Sequence, residues 1–416
     1  MPPNSAPLLL GDNGLIHASS RAPSSVLQNK RWDDVQIGSK EKCIHNFQVQ
    51  YGLDEKKRAA LLREKIRPVD LARVRTISDL IDAWSYCGIQ SRNLADCVRV
   101  YENMLLDRRR PTVMLGLSGA LIAGGLRKVI RDMIACGIVD VVVSTGAILY
   151  QDYYAASGYS HYRGSAASDD SKLHDLYINR IYDAYVDEVG FVKCDNSITA
   201  FCDSLEAKRY STREFLQMLG GTISDADSIL YAAYRRGVPV FCPAIADSSI
   251  GIGITNHYRK ARTKGIPPLM VDTIKDNYEI GQIVLKSRKT GAIYIGGGVP
   301  KNYINDATVM FDYTKGHSYA FQITADAPHW GGLSGSTLDE AKSWGKVSSS
   351  AHRATAYGET TVMLPLVVGA VLQRGAHEGR QGLEFVWEGD TLAAIRRRRA
   401  PQAIPQQIGA LEEATE

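Results

Sequence analysis

The chain has 416 residues, 44% of them hydrophobic and 23% charged, with a formal net charge of +4. This length can bury a large core or two domains. A near-neutral balance with no folded-looking segment that mixes Lys and Arg with aromatics excludes a dedicated nucleic-acid binder.

No apolar run reaches the ~18 residues of a membrane span. PLLL at 7–10 is too short for a signal-peptide core, and Asp12 soon interrupts it with a charge. The cysteines at 43, 87, 97, 136, 194, 202 and 242 form no C-x-x-C pair, so structural zinc is not expected, and their odd count and irregular spacing point to a reducing, cytoplasmic setting. No histidines stand at H-x-x-x-H spacing, and no metal is expected.

In chain order, residues 1–38 mix Pro, Ser, Asn and Gly without apolar periodicity and read as a flexible arm. Residues 39–385 read as one catalytic domain. Its entry, 54–110, is helical: LDEKKRAALLREKI (53–66), DLARVRTISDLIDAWSYC (70–87) and NLADCVRVYENMLLDRRR (93–110) carry apolar residues at helical spacing. TVMLGLSG (112–119) then reads as a buried strand and ALIAGGLRKVIRDMIACG (120–137) as the helix after it. IVDVVVSTG (138–146), VPVFCPAIADSS (238–249), AIYIGGGVP (292–300), YAFQITADAP (319–328) and ATAYGETT (354–361) are further apolar runs ending in small or acidic residues. Such strands alternating with helices predict a Rossmann-like, doubly wound parallel sheet, with ligands at the carboxyl ends of the strands. Segment 151–235 reads as an insertion of helices and long loops. Residues 386–416, with RRRR at 396–399, read as a polar basic tail without order.

Several strand ends could carry chemistry. In GGGVPK (296–301) three glycines could present backbone N–H groups to an anion at a helix start; a tight strand-to-helix turn explains them equally well. VVVSTGA (141–147) and GLSGALIAGG (116–125) are similar ends, and packing alone also demands small residues there. Asp247 in PAIADSSIG and Glu359 in AYGET could bind ribose hydroxyls or simply cap the next helix. By itself, the lysine of DEAKSWGKV (339–347) reads as a surface residue. A tryptophan wall and a close-packing glycine are nevertheless what a desolvated, nucleophilic lysine needs.

Taken together these segments resemble the deoxyhypusine synthase family, and its bacterial deoxyhypusine synthase-like branch in particular. DEAKSWGKV is similar to the catalytic-lysine segment and GGGVPKN to the triple-glycine strand end. ILYAAYRRGVPVFCPAIADSSIG, VDVVVSTGAILYQD, GIQSRNLADCVRVYENML and YGETTVMLPLVVGAVLQ match other family segments, in order, across roughly residues 75–375. The resemblance implies NAD-dependent transfer of an aminobutyl or related aminoalkyl group from a polyamine. Lys346 would form an imine, Trp344 would pack along the methylenes and Glu340 would hold an ammonium. Ser118, Gly119, Thr145, Gly146, Asp247, Gly296, Gly297, Gly298, Thr324, Glu359 and Thr360 would face NAD. It also implies a homotetramer with active sites at a dimer interface.

The departures fall on the polyamine side. Asn302 stands where the family carries a histidine, Tyr150 and Gln151 replace a glutamate pair, Ile252 replaces an aspartate, and Trp330 and Leu333 replace acids. Gly119-Ala120 replaces Ser-Asn at the first strand end. A less acidic pocket implies a small amine as acceptor, as in homospermidine synthesis. The alternatives are true deoxyhypusine synthesis on a translation-factor lysine, or a relative that binds NAD without chemistry.

Overall fold

The structure, a computed structural model, describes residues 54–311 and 316–398. The arm expected at 1–38 and residues 399–416 lie outside the described residues. Residues 54–65 belong to an N-terminal unit separate from the compact unit that begins at Ile66, although their helical pattern suggested part of the catalytic domain. They carry the helix Glu55–Leu61, capped by Asp54, whose carboxylate accepts the Lys57 amide at 3.0 Å.

In the compact unit, helix Ile77–Trp84 starts later than its apolar pattern suggested. Thr76 and Asp79 form a reciprocal capping box that fixes the first turn, and only a 3-10 turn, Leu71–Arg73, precedes it. Helix Ile89–Leu106 comes next and buries Leu94, Val98, Tyr101 and Met104.

The strands, in chain order, are β1 (Thr112–Leu117), β2 (Val141–Ser144), β3 (Tyr162–Arg163), β4 (Ile178–Ile181), β5 (Ala184–Asp187), β6 (Arg209–Tyr210), β7 (Val240–Phe241), β8 (Met270–Val271), β9 (Thr290–Ile295), β10 (His317–Thr324), β11 (Val347–Tyr357), β12 (Leu383–Glu388) and β13 (Thr391–Arg397). Six of them form the main sheet in the order β7-β2-β1-β9-β10-β11, every pair parallel. In chain order this is 3-2-1-4-5-6, the doubly wound arrangement of dinucleotide-binding folds.

Period-2 alternation in β1 explains both layers. Val113, Leu115 and Leu117 join one apolar cluster, with helices Ile89–Leu106, Arg127–Ala135 and Thr360–Gln373. Met114 joins a second cluster, with helices Thr273–Lys286 and Gly298–Asp306. Helices cover both faces, so the strands are apolar throughout, as a parallel sheet requires.

Three expectations are corrected. The helix after β1 begins only at Arg127, because Gly119 and Gly125 adopt φ of 100° and 86° and turn the chain first. The insertion is not only helices and loops: β3, β5 and β4 form a small antiparallel sheet. Its strands are too short to show alternation in the sequence. The polar tail is structured as far as Arg398. Strands β12 and β13 pair as an antiparallel hairpin, Leu392 is fully buried against helix Thr273–Lys286, and Arg213 stacks 4.0 Å above the Trp387 ring. Among the described residues, no helix is long and apolar enough to cross a membrane.

Candidate active site

The chain reverses its direction of sheet growth between β1 and β9, and the loops leaving these two strands face one another. In doubly wound sheets this is where ligands bind. Ser118, just past β1, accepts the Gly297 amide at 2.8 Å, and Ser334 accepts the Gly298 amide at 3.1 Å. Gly296 adopts φ of 71°, and a Cβ there would stand 2.4 Å from Ser118 Oγ, so only glycine lets the two strand ends meet. The triple glycine is thus a strand-to-helix turn whose second and third amides are held by serine hydroxyls. They are not open to an anion in this conformation.

Beside this junction lies a cavity of about 1120 Å³ over the carboxyl ends of β1, β9, β10 and β11, at the upper end of small-molecule and cofactor sites. Of the residues expected to face a nucleotide, Ser118, Gly119, Gly296, Thr324, Glu359 and Thr360 line it. Asp183 and Asp326 add carboxylates, and Gly124 and Gly125 leave part of the wall without side chains. Glu359 is also the N-cap of helix Thr360–Gln373 and accepts the Val362 amide at 3.2 Å. Burial alone would push its carboxyl up, but the Thr361 hydroxyl and the amides of residues 360–362 outweigh this and hold it below the usual range. The capping reading therefore holds, and the same side chain lines the cavity.

Thr145, Gly146 and Asp247, also expected to face the nucleotide, and Gln151, expected on the substrate side, do not line the cavity. Thr145 stands at the N-cap position of helix Gly146–Ala156 without a capping side-chain hydrogen bond. Gly146 is a packing glycine, since a Cβ there would stand 2.4 Å from Ser248. Asp247 is exposed, and the cap of the next helix is its neighbour Ser248. Gln151 is buried behind the wall, where its Oε1 accepts the Ala123 amide at 3.3 Å.

A second cluster forms around Lys346. Its Nζ lies 2.8 Å from the Asp306 carboxylate and 3.2 Å from Asn302 Oδ1, and it sits over the Trp344 ring, 5.3 Å from the centroid. Asn302 Nδ2 donates to Asp306 at 2.8 Å. The two acceptors are one turn apart on helix Gly298–Asp306, so one helical face anchors the lysine. Asp306 is a site residue that sequence reasoning missed, although the i, i+4 spacing of Asn302 and Asp306 was available as a signal. Glu340 opens the short helix Glu340–Ser343 and is exposed, while Trp330 is exposed on the turn Pro328–Trp330, its ring against His329. Lys342, the rival lysine, pairs with Asp339 at 2.6 Å.

The resemblance led to the expectation that Lys346 stands at the nucleotide edge; its main chain enters the sheet from the opposite edge. Lys346 immediately precedes β11, and its carbonyl accepts the amide of His317, the first residue of β10. It therefore lies at the amino edge. The cavity begins at the far end of β10, with Thr324, but the Lys346 side chain reaches Asn302, one turn beyond Gly298, and so points toward the triple-glycine junction whose Gly296 and Ser334 line the cavity.

A third lysine links the elements between them. Lys301 is buried, and its Nζ donates to Gln322 Oε1 at 3.0 Å, Leu333 O at 3.3 Å, Ser336 Oγ at 3.0 Å and the Ser336 carbonyl. Burial pushes its ammonium down to about 8, against an opposing pull from Glu340. Nothing in the sequence distinguished it from a surface lysine. Among the described residues, no group of three or more His, Cys, Asp or Glu could hold a metal ion.

Comparison with known proteins places this geometry among relatives. The family profile "Deoxyhypusine synthase" matches residues 79–371. "Probable deoxyhypusine synthase 2" of Methanosarcina acetivorans is 42% identical over 336 residues, covering 79% of this chain and 95% of that protein. "Deoxyhypusine synthase-like protein" of Chlorobaculum tepidum is 38% identical over 338 residues, covering 79% of this chain and 95% of that protein. The solved structure "Crystal Structure of a putative deoxyhypusine synthase from Entamoeba histolytica" superposes with a TM-score of 0.54 at 20% identity, covering 74% of this chain and 97% of that one, a likeness of fold.

Proposed function

The chain belongs to the deoxyhypusine synthase family, and from that premise we propose that it moves an aminoalkyl group from a polyamine to a small amine, with NAD as cofactor and Lys346 as the imine-forming nucleophile. The observation that carries the reading is the pairing of two features: a nucleotide-sized cavity at the strand ends, and a lysine anchored by Asp306 and Asn302 beside an exposed tryptophan.

The cavity suits NAD. Glycines 119, 124, 125 and 296 leave its wall without side chains where a polyphosphate would lie, although the amides of 124, 125 and 296 already donate within the chain, and the carboxylates of Glu359, Asp326 and Asp183 suit ribose hydroxyls. When bound, NAD supplies the place to store a hydride from the carbon next to the donor amine and to return it, so no net oxidation occurs. The chain's residues do the rest. The deprotonated Lys346 amine adds to the imine carbon of the aminoalkyl fragment and releases the remaining diamine, which leaves with the proton. Asp306 faces the cation that this addition creates. Trp344 covers the methylenes and excludes water. The acceptor amine then adds to the same carbon, breaks its bond to Lys346 and frees the lysine.

The family resemblance implies sites at an interface between copies, in a homotetramer built from dimers, so a second copy would complete each site. Asp247 and Thr145 would then face the shared site from outside the cavity wall, and Gln151 would support that wall from behind. The neutral Asn302, Ile252, Trp330 and Leu333 favour a small acceptor amine with fewer or differently spaced charges. Incubating the purified protein with NAD and a panel of diamines and polyamines, then analysing products by mass spectrometry, tests this. New small polyamines are expected. Efficient modification of a lysine in a hypusine-type acceptor protein, with no small-molecule product, would overturn the choice of acceptor.

A further inference from the structure

The turn between β4 and β5 consists of Tyr182 and Asp183, and Ile181–Ala184 line the mouth of the cavity. Two-residue hairpin turns that need positive φ at their first position favour glycine there. Here that residue is tyrosine, with φ of 56°. For a bulky side chain this is a sterically unfavourable backbone state, and such states persist where the surroundings hold them and a function uses them.

The surroundings do hold this turn. Arg180 Nη1 donates to the Tyr182 carbonyl at 2.9 Å, while its Nε and Nη2 grip Asp170 at 2.6 and 2.7 Å. On the other side, Gly164 donates its amide to the Asp183 carbonyl at 2.7 Å. Both peptide carbonyls of the turn are tethered, and both side chains are left free. The Tyr182 ring is 75% exposed and, among the described residues, has neither an aromatic nor a hydrogen-bond partner. A fixed backbone presenting an unpartnered aromatic face and an adjacent carboxylate to a cavity is a platform for a planar base that carries a hydroxylated sugar.

We propose that the Tyr182–Asp183 turn is the seat of the adenosine half of the dinucleotide, with Tyr182 stacking on the base and Asp183 accepting from the sugar hydroxyls or the exocyclic amine. The proposal rests on the reading of the cavity as an NAD site. Adenosine rather than the nicotinamide end is favoured by the chemistry. The reacting ring must keep a face open to the incoming carbon and to the lysine of a second copy, whereas the adenine reacts with nothing and gains from cover. The carboxylates along this wall, Asp183, Asp326 and Glu359, repel phosphate and suit diols.

The test is calorimetric titration of the full chain with NAD, ADP-ribose, AMP and nicotinamide mononucleotide, on wild type, Tyr182→Gly, Tyr182→Phe and Asp183→Asn. Glycine relieves the positive φ, so Tyr182→Gly should melt no lower than wild type, and a folding failure cannot mimic the effect. It should weaken NAD, ADP-ribose and AMP alike by about tenfold or more, the scale of a lost base–aromatic stack. Nicotinamide mononucleotide should be unaffected, and Tyr182→Phe should retain affinity. Asp183→Asn should weaken the same three ligands. If wild type binds no NAD at millimolar concentration, the reading of the cavity fails and the proposal falls with it. If wild type binds NAD and Tyr182→Gly binds it equally, or loses nicotinamide mononucleotide instead of AMP, the cavity reading stands and the proposal is overturned.

Discussion

Lys346 Nζ lies 2.8 Å from the carboxylate of Asp306, a residue one helical turn below Asn302, which also binds the same amine. The lysine side chain is largely shielded and the aspartate partly exposed, so the pair is neither a surface bridge nor a sealed ion pair. Asp306→Ala should leave Lys346 held by Asn302 alone and remove the counter-charge from the cation formed on it. Losing one charge-assisted contact at a partly exposed site corresponds to about 1.4 kcal/mol, or about tenfold in the rate of transfer. Single-turnover kinetics with saturating NAD checks this, and an unchanged rate would make the pair structural only.

Sites shared between copies, as the proposed function has them, predict complementation between chains. Lys346→Ala keeps its cavity, and Gly296→Ala keeps its lysine but should block the junction with Ser118. Each alone should be inactive. Co-expressed, random dimers should regain about a quarter of wild-type activity, because half the dimers are mixed and each mixed dimer has one intact site. Complete inactivity of the mixture, with mixed assembly verified by mass, would contradict shared sites.

Glu359 caps a helix and lines the cavity, and substitution can separate the cap from the proposed contact with NAD. Glu359→Ser retains an N-cap for helix Thr360–Gln373 and should keep the melting temperature, while weakening NAD binding. Glu359→Ala should weaken NAD similarly and also cost about 1 kcal/mol of stability. Equal NAD affinity in wild type and Glu359→Ser, measured by titration, would restrict Glu359 to capping.

Much of the architecture is legible because a parallel sheet covered on both faces leaves an unusual trace, continuous apolar runs that stop at small residues. β1, β2, β9 and β10 show it. β11 shows only its second half, because Ser348, Ser349 and Ser350 make its first half look like loop. That hides the fact that Lys346 stands at the amino edge. β12 and β13 are masked in the same way by a basic composition that conceals the buried Leu392. The strands of the insertion are short, and the strained turn at Tyr182 violates the glycine preference by which a hairpin is normally read. Lys301 acquires meaning only through partners about 20–35 positions away in sequence, and Asp306, beyond its i, i+4 partner Asn302, only through Lys346.

Lys301 gives a prediction about pH and stability. Its folded-state value of about 8 is below the 10.5 of an ordinary lysine. Between about pH 8 and 10.5 the unfolded chain therefore holds more protons at this site than the folded chain, and the group's contribution to stability rises with pH. Below about 8 its destabilising effect is constant. Urea unfolding of wild type and Lys301→Met across this range should show curves that diverge by up to about 1.4 kcal/mol per pH unit, wild type rising faster. Parallel curves would mean that Lys301 titrates like a free lysine.

The most direct measurement of the central claim is borohydride trapping during turnover. The protein is incubated with NAD and a polyamine, reduced, digested and sequenced by mass spectrometry. The account predicts an aminoalkyl adduct on Lys346, dependent on NAD and absent in Lys346→Ala, a variant that still binds NAD. An adduct on Lys342 or Lys301 instead, or full transfer activity in Lys346→Ala, would contradict it.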